Sequence, residues 1–253
     1  MILDAFSLQG KVAIVTGCDT GLGQGMALGL AGAGCDIVGV SRKIPHDTAA
    51  KVQALGQQFT AVQADLSRQE NIAQVVAQAV EHKGHIDILV NNAGTIRRAD
   101  ALTFSEQDWD DVINLNLKSV FFLSQAVAQQ FIRQNSGGKI INIASMLSFQ
   151  GGIRVPSYTA SKSGVQGLTR LLANEWAAKG INVNAIAPGY METNNTQALR
   201  EDEARNQQIL ERIPAGRWGT PEDLQGCVIF LASRASDYVN GYTIAVDGGW
   251  LAR

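Results

Sequence analysis

Residues 11–32 constrain the fold more than any other part of the chain. KVAIVT (11–16) is a short, β-branched apolar run and reads as a buried strand. It runs straight into Gly17-Cys18-Asp19-Thr20-Gly21-Leu22-Gly23, and a helical pattern follows over 24–32. Strand, Gly-rich turn and helix in that order make an anion-binding corner. Glycines let the backbone approach a phosphate, and a helix N-terminus aims N–H groups and a partial positive charge at it. The spacing is Gly-x-x-x-Gly-x-Gly, not the Gly-x-Gly-x-x-Gly of the commoner dinucleotide fingerprint. Many tight turns are Gly-rich, so it is the position between strand and helix that gives the motif its weight.

The same alternation continues along the chain. Residues 36–41 (DIVGVS), 59–63 (FTAVQ), 86–90 (IDILV), 139–144 (KIINIA), 181–186 (INVNAI) and 242–246 read as strands. Helical patterns lie between them at 47–55, 71–83, 105–131 and 158–179, and a last one covers 221–233. The helix at 105 opens on a capping Ser105 and carries Trp109, Val112, Ile113 and Leu115 at helical spacing. Strands alternating with helices predict an α/β chain with a parallel sheet and right-handed crossovers. Residues 190–219 are polar and irregular, and predict a mobile lid with a helix around 202–212.

Composition excludes several classes. A net charge of −2 over 253 residues argues against nucleic acid or an anionic membrane as partner. No apolar run reaches the roughly 18 residues a membrane span needs. The start, MILDAFSLQGK, lacks the pattern of a signal peptide. Three scattered cysteines, Cys18, Cys35 and Cys227, resemble neither a disulfide framework nor a zinc site, so a reducing cytoplasm is the expected compartment. No metal site is expected, because His46, His82 and His85 lie apart in sequence from the chemistry below and read as solvated surface.

That chemistry is concentrated in SMLSFQGGIRVPSYTASK (145–162). Tyr158 and Lys162, four apart on a helix, share one face. An ammonium beside a phenol favours the phenolate, which predicts a phenol pKa below its usual ~10. Such a phenol can exchange a proton with a carbinol oxygen, and the Ser145 hydroxyl can bond the same oxygen. The bland alternative is a half-buried aromatic next to a solvated lysine. Elsewhere, Ser41-Arg42-Lys43 ends the second strand where an acidic residue would bond ribose hydroxyls. By itself this favours a 2′-phosphate, because Arg pairs well with phosphate. Asp65 can accept from an adenine amino group or cap the next helix.

TGCDTGLG (16–23), NNAG (91–94), the Asn116 segment, Ser145 with YTASK (158–162), and Pro188-Gly189 together resemble the short-chain dehydrogenase/reductase family, in order and across nearly the whole chain. The resemblance implies a single domain over 1–253, a Rossmann-type doubly wound parallel sheet of about seven strands with helices on both faces. It implies Tyr158 as acid/base, Lys162 tuning it and binding the nicotinamide ribose, Ser145 orienting the carbonyl, and Asn116 holding a relay water. Gly17, Asp19, Gly21, Leu22 and Gly23 would line the pyrophosphate. Ser41, Arg42, Asp65 and Leu66 would meet the adenosine, Asn92, Ala93 and Gly94 the ribose side, and Pro188, Gly189 and Thr193 the carboxamide side. It also implies a homotetramer.

Longer stretches near the start, middle and end resemble those family members that act at C5 of six-carbon keto-deoxy sugar acids in bacterial pectin and uronate breakdown. That implies NAD as cofactor, with NADP kept open by Arg42 and Lys43. A sugar-acid carboxylate calls for a cation, for which Arg98 is the first candidate and Arg154 the second, with Arg97 and Arg217 nearby. Any of these can instead be a surface charge. Met146, Phe149 and Gln150 are pocket-wall candidates by position. The rivals are a gluconate 5-dehydrogenase, another NADP-dependent reductase, a nicotinamide-sensing protein without turnover, and a nucleotide-dependent methyltransferase.

Overall fold

Seven strands form one sheet in the order β3-β2-β1-β4-β5-β6-β7, every neighbouring pair parallel. They are β1 (Val12–Thr16), β2 (Asp36–Ser41), β3 (Phe59–Gln63), β4 (Ile88–Asn91), β5 (Gly138–Ile143), β6 (Ile181–Pro188) and β7 (Thr243–Val246) in a computed structural model that describes residues 1–253. The helices are α1 (Gly21–Gly32), α2 (His46–Ala54), α3 (Glu70–Lys83), α4 (Glu106–Ile113), α5 (Ser119–Gln134), α6 (Pro156–Trp176), α7 (Gln197–Glu201), α8 (Glu203–Arg212) and α9 (Gln225–Ala232).

The buried strand β1 shows why both faces carry helices. Ala13 and Val15 point into one apolar cluster, with Met26 and Leu30 of α1 and Val228 and Leu231 of α9. Val12 and Ile14 point into the other, with Val75 and Ala79 of α3 and Leu123, Val127 and Phe131 of α5. Side chains two apart on a strand share a face, so a continuous apolar run must be covered twice. The chain steps outward from β1 to β3, then returns to β4 on β1's other side. That reversal opens a crevice at the C-terminal strand ends, where ligands bind in such sheets.

Several boundaries differ from those read in the sequence. The first helix begins at Gly21, inside the Gly-rich turn, not at residue 24. The helix expected from residue 158 starts two residues earlier, with Pro156 in the first turn where its missing N–H costs nothing. The helix expected over 105–131 is interrupted by a π-turn, Asn114–Lys118, where the Ser119 N–H donates to the Asn114 carbonyl. A π-turn leaves no hydrophobic-periodicity signal, and such bulges concentrate at functional sites.

Residues 190–219 pack more than their polar composition suggests. Ile209, Ile213 and Trp218 are buried together with Met146 and Trp250. Tyr190 meets both Trp218 and Trp250 edge-on, with ring centroids 5.3 and 4.7 Å apart. Trp250 thus anchors the C-terminal tail against its own chain, while Ala252 and Arg253 stay exposed. No helix is long and apolar enough to cross a membrane.

Candidate active site

The crevice at the switch point is a cleft of about 1150 Å³. The Gly-rich corner forms one end. Gly17 has φ +65° and Gly21 φ +56°, a left-handed backbone that favours glycine. Gly23 is required by space: a Cβ there would lie 2.1 Å from the Gly17 carbonyl oxygen and 2.4 Å from Asn92 Nδ2. Asn92 explains the crowding. Its amide donates to the Thr16 and Gly17 carbonyls at 2.9 and 3.0 Å, clamping the loop after β4 to the turn after β1. Thr16 Oγ1 completes the clamp by accepting from the Asn92 and Ala93 N–H groups.

The adenosine end of the cleft is lined by Ser41, Arg42, Lys43, Asp65 and Leu66. Ser41 is buried and donates to Asp19 at 3.4 Å. Arg42 and Lys43 are exposed at the rim. Asp65 accepts from the Ser67 hydroxyl and N–H at 2.7 and 3.0 Å, which holds its carboxyl below the usual range. Its carboxylate therefore caps the turn after β3 while still facing the cleft. A glycine cradle that a Cβ would fill, a helix N-terminus and a long cleft ending in basic side chains fit a dinucleotide.

At the centre, Ser145 ends the segment after β5 and caps a short 3-10 turn, Met146–Ser148, accepting from Leu147 N–H at 3.2 Å. The Ser148 hydroxyl donates to the Lys162 carbonyl at 2.6 Å, fastening that turn to α6. Tyr158 and Lys162 both line the cleft, the Lys162 Nζ 5.7 Å from the Tyr158 ring centroid. Lys162 is buried and donates to the Ile143 carbonyl at 2.6 Å. Burial pulls its ammonium down to about 8. Burial also raises the Tyr158 phenol above its ordinary value, opposed by the neighbouring Ser145 hydroxyl and the charge of Arg98. This corrects the expectation that Lys162 depresses the phenol. In the protein by itself desolvation wins, and the ammonium is engaged by a carbonyl.

Asn116 does not line the cleft. Its carboxamide is engaged on both atoms: Oδ1 accepts from Thr95 N–H, and Nδ2 donates to the Thr95 carbonyl at 2.8 Å and to Ser161 at 3.4 Å. The side chain ties the π-turn to the loop after β4 and to α6. Gly94, Pro188, Gly189 and Thr193 line the cleft as expected, as do Met146, Arg98 and Arg154. Gln150 does not. Its Oε1 accepts from Arg212 at 3.4 Å, on the side where Arg212 stacks over Trp250. Arg97 and Arg217 are also taken, by Asp108 and Asp111 and by Asp223. Further wall residues are Thr95, Tyr190, Asn194, Asn195 and Arg205, and the first four have no signal in the sequence. Only Arg205 carried a hint, as a cation on the helix expected in the lid. No three His, Cys, Asp or Glu side chains are grouped to hold a metal ion.

A doubly wound sheet with a glycine corner at its switch point, and Ser145, Tyr158 and Lys162 facing the same cleft, defines a dinucleotide-dependent oxidoreductase. The short chain dehydrogenase family model matches residues 11–204. The chain is 73% identical, over the full length of both proteins, to the 2-dehydro-3-deoxy-D-gluconate 5-dehydrogenase of Escherichia coli (strain K12). Among solved structures, an Agrobacterium tumefaciens protein with bound NADP is 56% identical with a TM-score of 0.91, covering 99% of this chain and 100% of its own. A gluconate 5-dehydrogenase of Burkholderia cenocepacia J2315, in complex with NADP and tartrate, is 39% identical with a TM-score of 0.95 over 100% of both chains. The chain belongs to the short-chain dehydrogenase family, and its chemistry is NAD(P)-dependent interconversion of an alcohol and a carbonyl.

Proposed function

We propose that this enzyme interconverts the C5 alcohol and ketone of 2-dehydro-3-deoxy-D-gluconate. The observation that carries the reading is full-length identity of 73% to an enzyme of that name. Arg98, Arg154 and Arg205 in the cleft suit an acid, because guanidinium grips a carboxylate with two parallel bonds. Bound NAD(P) would supply the hydride acceptor or donor and, in its oxidised form, a positive charge beside the phenol. Tyr158 takes the hydroxyl proton during oxidation and returns it to the carbonyl oxygen during reduction. Ser145 bonds the same oxygen and fixes the carbon against the cleft wall. Lys162 holds the ribose side and favours the phenolate once its ammonium turns from the Ile143 carbonyl. Asn116 holds the Thr95 loop through its carboxamide, and a relay water at the π-turn.

The cofactor is NAD with NADP accepted, since Ser41 stands where an acidic residue would repel the 2′-phosphate and Arg42 follows it. Residues 190–219 act as the lid. A homotetramer in a reducing cytoplasm is consistent with exposed Trp109, Phe122 and Leu171 on α4, α5 and α6, and with three free thiols. The rival substrate is gluconate at C5, the chemistry named for the Burkholderia relative. Cofactor absorbance against a panel of keto-deoxy and aldonic acids tests the reading. A kcat/KM for gluconate above that for the keto-deoxy acid would overturn it.

A further inference from the structure

The arginines around the cleft sort into two groups by their partners. Arg97 is spent on Asp108 and Asp111, and Arg217 on Asp223. Arg98, Arg154 and Arg205 face the cleft and make no salt bridge. Of these three, Arg98 and Arg154 are exposed and Arg205 is half-buried. Arg205's guanidinium meets only the Gln208 side-chain carbonyl, at 3.1 Å. Four of its five N–H donors therefore remain open to the cleft, with no carboxylate of the protein competing for them.

The backbone of Arg205 is fixed, which a ligand-gripping side chain needs. Its N–H donates to the Asp202 cap at 3.0 Å, at the start of α8. One residue on, Asn206 accepts from the Trp218 indole N–H at 2.8 Å. One turn on, Ile209 is buried against Met146, the neighbour of Ser145. The helix carrying Arg205 and the turn carrying the Ser145 hydroxyl therefore share one packed cluster. Arg98 sits at the reacting end, where its charge bears on the Tyr158 phenol. A carboxylate at C1 lies four bonds along the chain from C5, so it has to be gripped away from that end.

We propose that Arg205, on α8, is the lid-side residue that grips the substrate carboxylate and selects acids over uncharged sugars. This rests on the sugar-acid reading above. The test is steady-state kinetics of Arg205→Met and Arg205→Lys with saturating cofactor, on the keto-deoxy acid and on its C1 amide. Loss of one charge-assisted contact predicts a KM for the acid up by roughly tenfold to a hundredfold in Arg205→Met. The KM for the amide stays within twofold, and Arg205→Lys falls between wild type and Met. An unchanged KM for the acid, or equal increases for acid and amide, overturns the inference. If the wild-type enzyme turns over no keto-deoxy acid, the substrate reading has failed, and calorimetric titration of the enzyme with D-gluconate decides Arg205 separately. Tenfold weaker binding in Arg205→Met upholds the grip, and equal or absent binding removes it.

Discussion

The Lys162 ammonium stands 5.7 Å from the centroid of the Tyr158 ring, yet its hydrogen bond goes to the Ile143 carbonyl, 2.6 Å away. In the protein by itself the two titratable groups are therefore each governed by burial. The phenol is pushed up and the ammonium down to about 8, so both are pushed toward their neutral forms. A phenol in that state is a poor base until positive charge arrives next to it. Coupling between cofactor and proton transfer follows from this pair.

The most direct expectation concerns the phenol oxygen. Tyr158→Phe removes the only atom on that ring able to exchange a proton, and leaves the apolar packing of α6 in place. The turnover number should fall at least ~10³-fold, while cofactor binding followed by fluorescence stays within a few-fold of wild type. Turnover within tenfold of wild type would show that another group carries the proton.

Lys162 allows a test on stability. Its unfolded value is 10.5 and its folded value about 8, so between those pH values the unfolded chain holds a proton the folded chain has released. Wild-type stability therefore rises with pH across that window, and the burial penalty is complete below it. Lys162→Met removes the penalty and also the bond to Ile143. The variant should be inactive but more stable by roughly 2 kcal/mol at pH 7. The gain should shrink from pH 8 and turn into a loss of about 1 kcal/mol by pH 10.5, where only the missing bond to Ile143 remains, read as Tm against pH. A pH-independent difference in Tm would contradict the buried ammonium.

Arg98 lowers the phenol's pKa through its charge. Arg98→Met should therefore move the ascending limb of the oxidation profile, log kcat against pH, to higher pH, because oxidation needs the phenolate. An acid-side shift, or none, would place Arg98 too far from the reaction to matter.

How much of this was legible in the sequence depends on what each residue touches. The strand centres were readable because β-branched runs buried on both faces leave a pattern that local sequence carries. The Gly17-to-Gly23 corner and the Tyr158–Lys162 spacing were readable because backbone conformation and helical pitch fix them. The fates of the arginines were not. Arg97 and Arg98 are adjacent, yet one is captured by Asp108 and Asp111 of α4 and the other faces the cleft. Arg217 looked like a lid cation until Asp223 took both of its terminal nitrogens. Gln150 turned to Arg212, and the Asn116 carboxamide turned to Thr95. The Gln150 and Asn116 pairings span 62 and 21 residues, beyond any local window, and even Arg217 and Asp223, six apart, meet only because the lid folds back on itself. The direction of the phenol's shift was missed for the same reason, since desolvation belongs to the assembled cleft.

The glycine corner gives the sharpest steric expectation. A methyl group at residue 23 would fall 2.1 Å from the Gly17 carbonyl oxygen and 2.4 Å from the Asn92 amide, and real contacts of a Cβ do not come so close. The Gly17 carbonyl cannot yield freely, because the Asn92 amide holds it and the Gly17 N–H is donated to Val40 at 2.7 Å. Gly23→Ala must therefore push α1 away from the turn, opening the same N–H cradle that would hold a pyrophosphate. The protein should lose about 1–3 kcal/mol of stability, as overpacked sites do. Cofactor affinity should fall more steeply than that loss explains, with NAD and NADP affected alike because the pyrophosphate is common to both. Arg42→Ala with Lys43→Ala should behave differently, weakening NADP by tenfold or more and NAD by less than threefold, because those cations would meet the 2′-phosphate, which NAD lacks. Titrating both cofactors against both variants separates the two ends of the cleft. If Gly23→Ala spared either cofactor, the corner would not be where the phosphates lie.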